Sequence, residues 1–106
     1  MEKQTNTGAI IDDRRTDEQR EITWGFIVAT DSFMSGWGMA KGKSYFAVPV
    51  ANNEQARIVE ANMRRRSEMK RVRFVLADYR PKLQAGDHLS IMELDPKARF
   101  FQVNGF

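Results

Sequence analysis

The chain has 106 residues, no cysteine and a formal net charge of +3. That length makes one domain with a core of its own, and the missing thiols exclude disulfides, thiolate nucleophiles and the common structural zinc sites. No apolar run approaches the roughly 20 residues of a membrane-spanning helix, and the polar N-terminus shows no secretory signal, so the expected compartment is the cytoplasm.

Residues 1–20 have Ile10 and Ile11 as their only large aliphatics. They are expected to be a polar, mobile N-terminal tail, in which Thr16 with Gln19 would cap one short helical turn. A single α+β domain is expected over 21–106. Ile22, Trp24, Phe26 and Val28 alternate with Thr23, Gly25, Ile27 and Ala29, the period of a strand. Tyr45 to Val50 reads as a second strand, stopped near Pro49. Asn52 with Gln55 three residues on marks a helix start, and no Pro or Gly interrupts it through Met69.

Arg71 to Tyr79 reads as the third strand, with Val72, Phe74 and Leu76 on one face and Arg71, Arg73 and Val75 on the other. Gln84-Ala85-Gly86-Asp87 makes a turn. His88 to Leu94 and Arg99 to Val103 are expected to close the fold as a hairpin around Asp95-Pro96-Lys97-Ala98. The order β-β-α-β-β-β predicts a two-layer α+β sandwich, β-grasp-like, with one helix packed on a mixed four- to five-stranded sheet. A right-handed crossover through the helix leaves room for the first strand between its two parallel strands.

Between the first two strands, residues 31–44 hold three of the seven glycines. Met34, Ser35, Gly36, Trp37, Gly38, Met39, Lys41 and Lys43 are the candidate partner-binding residues. A rigid indole and two adaptable thioethers among glycines suit an anchor for a protein partner. The same pattern fits a Trp folded back over the sheet edge. Gly42-Lys43-Ser44 has the ending of a phosphate-binding loop, but Gly36 and Gly38 are each one place out, and a strand follows where a helix is needed. A nucleotide or phosphate site is therefore the second alternative function.

Charge is distributed unevenly. Residues 1–40 carry four basic and seven acidic side chains, residues 41–106 thirteen basic and seven acidic. Arg64, Arg65, Lys70, Arg71 and Arg73 form the candidate surface for DNA, RNA or an acidic partner, the other explanation being a solvated basic face. The strand face bearing Arg71 and Arg73 carries Val75 and Tyr79, where an RNA-binding sheet offers stacking aromatics. Arg66 falls in the helical arc of Ile58, Val59, Asn62, Met63 and Met69, and is expected to be partly buried against Asp78 or Glu93. His88 is the only histidine. No converging ligand set surrounds it, and no nucleophile-elbow pattern joins Ser35 or Ser44 to His88 and Asp87. No catalytic residue, metal or cofactor is expected.

Phe33-Met34-Ser35-Gly36-Trp37-Gly38, then Ala40, Gly42-Lys43, and Arg66-Ser67-Glu68-Met69-Lys70 with Val72, resemble a family of small uncharacterised proteins of phages and other mobile elements. The resemblance covers roughly residues 28–75. It implies a protein made inside a bacterial host cell, with roles such as inhibiting a defence system, and carries no activity with it. The expected function is thus a non-catalytic binding module for a host protein or nucleoprotein complex.

Overall fold

The computed structural model describes residues 2–4, 8–31 and 43–103. Along the chain run β1 (Glu2–Gln4), β2 (Ile10–Asp13), α1 (Asp17–Ile22), β3 (Gly25–Asp31), β4 (Ser44–Val50), α2 (Asn53–Arg64), β5 (Met69–Leu76), β6 (His88–Ile91) and a 3-10 helix, Arg99–Phe101. The strands form one mixed sheet in the order β1-β2-β6-β4-β3-β5, β1 being a short outer addition to the other five. Pairing is antiparallel for β3 with β4 and β5, and parallel for β6 with both β2 and β4. The architecture is α+β, with α2 packed across the sheet.

The β4-α2-β5 crossover joins two mutually parallel strands, and β3 occupies the room expected between them. Alternation in β3 serves two buried faces. Ile27 and Ala29 join Val48, Val50, Ala56, Val59, Met63 and Phe101 on the α2 side, while Phe26 and Val28 join Ala47, Leu89 and Ile91 on the other. Both faces are covered, so the strand is apolar nearly throughout. It begins at Gly25, later than expected, because Ile22 belongs to α1; Ile22 and Trp24 are exposed.

Asn52 caps α2 by accepting from the Gln55 amide at 2.9 Å, and the Gln55 carboxamide oxygen accepts from the Ala51 amide at 2.8 Å. The helix stops at Arg64, well before Met69. Its end tightens through bonds from the Arg65 and Arg66 amides to the carbonyls three residues back. Met69 then opens β5, whose edge is kinked where Arg71 adopts a left-handed φ of 57° and the register with β3 shifts. The kink keeps Met69 on the α2 side and puts Lys70 opposite Thr30, Arg73 opposite Val28 and Val75 opposite Phe26 on the other. Phe74 and Leu76 share the α2 side but lie on the outermost strand, and both stay exposed.

Two expectations fail for one reason. Residues 10–13, assigned to a mobile tail, form β2 and occupy the outer edge of β6, while β4 occupies the inner one. No edge of β6 remains for a returning strand. After the expected turn, in which the Ala98 amide donates to Asp95 at 2.9 Å, residues 99–101 coil into the 3-10 helix against α2. The Thr16–Gln19 capping box forms in full and starts α1. Arg66 is also corrected: it pairs with Glu68, two residues on, and 38% of its side chain is exposed. Its loss should cost little.

Gly25 is required by space. A Cβ there would lie 2.6 Å from the Val75 carbonyl and 2.5 Å from the Phe74 ring. Because one obstacle is paired backbone, Gly25→Ala should lower stability by about 2 kcal/mol, measured by urea denaturation.

Candidate functional site

The two sides of the sheet differ in what covers them. On the side away from α2, residues 77–87 cross the sheet without regular structure, with Ala77 and Leu83 packed on the apolar cluster. Between this strap and the sheet lies a cavity of about 260 Å³. Phe26, Val28, Ala47, Leu89 and Ile91 form its floor, and Arg15, Tyr79 and Arg80 its polar parts. Such an apolar hollow with a few convergent polar groups is the ordinary form of a binding site.

Both ends of the strap are fastened. At the start the Ala77 amide donates to the Trp24 carbonyl at 3.1 Å, and the Tyr79 amide to Leu76 at 3.0 Å. At the finish stands Asp87, a buried carboxylate. Its Oδ1 accepts from the Lys43 amide and its Oδ2 from the Gln84 amide, each at 2.8 Å. The Asp87 carbonyl accepts from the Ile10 amide at 2.9 Å, so a single residue joins the strap, β2 and the entry to β4.

Arg15 forms the opposite wall. Its guanidinium lies 5.0 Å above the Phe26 ring, grips both oxygens of Asp13 at 2.8 and 2.9 Å, and donates to Thr23 Oγ1 at 3.3 Å. Burial pushes the Asp13 carboxyl upward, but the hydrogen bonds and charge of Arg15, with Arg20 beside it, prevail and hold it at about 2, below its ordinary 3.8. Because the folded value is depressed, this stabilisation is present above the ordinary carboxylate range and is lost as pH falls from about 4 through about 2. Thermal unfolding between pH 6 and pH 2 should show that loss, and Asp13→Asn should flatten it.

On the β5 side, Arg73 donates to the Tyr79 hydroxyl at 3.0 Å with its guanidinium 5.9 Å from the Tyr79 ring. Tyr45 stands near this group. Burial first, then the negative charge of Asp87, raises its phenol above the ordinary value, opposed by the positive charges of Arg71 and Arg73.

Of the expected basic residues, Arg64 ends α2 and bonds Glu60 at 3.1 Å and the Val72 carbonyl at 3.3 Å, while Arg65 is its exposed C-cap. Lys70, Arg71 and Arg73 are exposed along the edge strand β5, and Arg64, Lys70 and Arg71 line one shallow depression. Arg64, Lys70, Arg71 and Arg73 therefore meet around β5, whereas Arg65 lines a separate depression with Arg57 and Val103. Met34, Ser35, Gly36, Trp37, Gly38, Met39 and Lys41 lie outside the described residues. Lys43 is exposed, and its amide, at the position expected to face a phosphate, is given to Asp87. The same two amide contacts occupy the carboxylate that would orient His88 in a triad, and His88 Nε2 is buried with no partner among the described residues. No cluster of three metal-ligating side chains occurs among the described residues, nor does any helix long and apolar enough to cross a membrane.

Sequence reading missed Arg15 and Arg80 as parts of one hollow. They come from the N-terminal segment and the strap, so only tertiary pairing joins them. Comparison with models of known families, with curated proteins and with solved structures found no match.

Proposed function

We propose that the chain is a non-catalytic binding module that docks an acidic protein of a bacterial host cell on the β5 side of the sheet. One contrast carries this reading. Arg14, Arg15, Arg20, Arg64 and Arg66 each have a carboxylate within ion-pair distance, whereas Lys70, Arg71 and Arg73 have none among the described residues. Cations left without a local carboxylate along an exposed edge favour encounter with an anionic surface. The ends of the Gly-rich connection, Asp31 and Lys43, stand at the same end of the sheet as Lys70, which supports the loop and the basic edge acting together. The resemblance to phage and mobile-element proteins supports a host partner.

The test compares the wild-type chain with a Lys70→Glu/Arg71→Glu/Arg73→Glu variant in capture from bacterial lysate, each with and without nuclease. A protein retained after nuclease by the wild type and lost by the variant is the expected result. Retention of nucleic acid alone, with a steep salt dependence, would replace it by the DNA- or RNA-binding alternative. Equal capture by both chains would overturn the role of this edge.

A further inference from the structure

We infer that the cavity beneath the 77–87 strap is a binding site for a small apolar carboxylate, an aromatic or branched body carrying one anionic group. The site faces the strap and not the docking edge, and touches that edge only where Arg73 donates to the Tyr79 hydroxyl. Three observations carry the assignment. The floor is built from five buried hydrophobic residues of three strands, so its shape is set by the sheet. An apolar cavity of about 150 Å³ takes a benzene ring, so the about 260 Å³ here accommodates a larger ring system or a ring with a short chain.

The second observation is charge. Two of the eleven lining residues are arginines and none is acidic. Each nitrogen of Arg15 already donates to Asp13 or Thr23, and the carboxylate neutralises its charge, so it serves mainly as a fixed wall. Arg80 differs. It is exposed, it has no carboxylate partner among the described residues, and its only hydrogen bond there is from Nη1 to the neighbouring Tyr79 carbonyl at 3.0 Å. A guanidinium placed so at the lip of an apolar hollow suits a carboxylate, which it can hold through two parallel hydrogen bonds.

The third is the Tyr79 hydroxyl. It accepts from Arg73, which leaves its own proton available to a second anionic oxygen. Body and headgroup are thus recognised by different parts of one site: hydrophobic floor within, donors at the lip. A cation meets like charge at the lip, and a polar molecule without an apolar body forgoes the floor.

Isothermal titration of the full chain with 1-naphthaleneacetate, and separately with neutral 1-naphthalenemethanol, tests this. The acid should bind saturably with one site per chain, and the alcohol at least tenfold more weakly. Arg80→Gln, on an exposed side chain, should keep the fold and weaken the acid about tenfold without changing the alcohol. Ala47→Met, which fills the floor, should abolish both. No saturable binding of the acid would overturn the site. So would equal affinity for acid and alcohol, or an unchanged affinity in Arg80→Gln. Loss of host-protein capture in a Lys70→Glu/Arg71→Glu variant, which leaves Arg73 on the Tyr79 hydroxyl, with naphthaleneacetate binding retained would show that the two sites are distinct.

Discussion

Replacing Asn62 by Asp should destabilise the protein by about 4 kcal/mol at neutral pH, and lowering the pH should restore part of the loss. Asn62 is buried on α2, and its Nδ2 donates to the carbonyls of Phe100 and Gln102 at 2.8 Å each, with a longer approach to Arg99 at 3.4 Å. One amide group therefore fastens the 3-10 helix to the long helix. A carboxylate of the same shape has no proton for those carbonyls and brings a negative charge into their midst. Burial and carbonyl dipoles both favour its protonated form, so the variant's folded pKa lies above its unfolded one. The sign follows. Stability recovers as pH falls below that raised value, because the neutral acid again donates one hydrogen bond. Asn62→Ala lacks the charge but still orphans the carbonyls, and should cost about 2–3 kcal/mol with no such recovery. Urea unfolding at pH 7 and pH 4.5 separates the two variants. Equal losses for both at pH 7 would mean that the 3-10 segment detaches without cost to the core.

What could be read from the sequence was what depends on near neighbours. The cap at Asn52, the capping box of Thr16 and Gln19, the turns at 84–87 and 95–98, and the alternation through β3 each involve a few adjacent residues, and each forms. That β4 and β5 run parallel, with room for β3 between them, is compatible with the crossover rule, which needs only element order, but the strand order itself was not legible. Asn62 fell on the inward helical arc by spacing alone, though its partners across the chain did not. What failed required knowing a distant partner. Ile10–Asp13 has a polar, acidic look because only part of it is covered, and its pairing with His88–Ile91 spans most of the chain. That single omission also produced the false hairpin. Arg66 was assigned distant carboxylates by helical phase, but the helix ended first and Glu68 was nearer. Phe74 and Leu76 had the correct side of the sheet, and both stay exposed because they lie at the far end of the outermost strand from Met69, which packs on Val59 and Met63 of α2. The candidate cavity was the least legible feature. Its roof is aperiodic, its cationic wall is an N-terminal arginine, and neither signals the other in sequence.

Asp87→Ala is the second large expected effect, about 3 kcal/mol, and its pattern matters as much as its size. The substitution removes both acceptors at once and leaves the Lys43 and Gln84 amides without their 2.8 Å partners at a closed end of the sheet. Asp87→Asn keeps one carbonyl oxygen and turns the other acceptor into a donor facing an amide, so it should lose nearly as much. An isosteric amide that restored full stability would show that the carboxylate's second oxygen contributes nothing. By contrast Arg64→Ala, which removes an exposed pair with Glu60, should change stability by less than about 0.5 kcal/mol. Hydrogen exchange gives the residue-level check. The amides of Gln84 and Lys43 should exchange much faster in Asp87→Ala, while Ile27, Val48 and Val59 slow or quicken only with global stability. Ile10 donates to the Asp87 backbone carbonyl, which the substitution leaves in place. Selective loss of protection at Gln84 and Lys43 with Ile10 still protected would therefore mean that the side chain holds the strap, and the backbone holds β2. If all three opened together, the carboxylate would be holding the whole end of the sheet, and the cavity's roof would share its stability with the core beneath it.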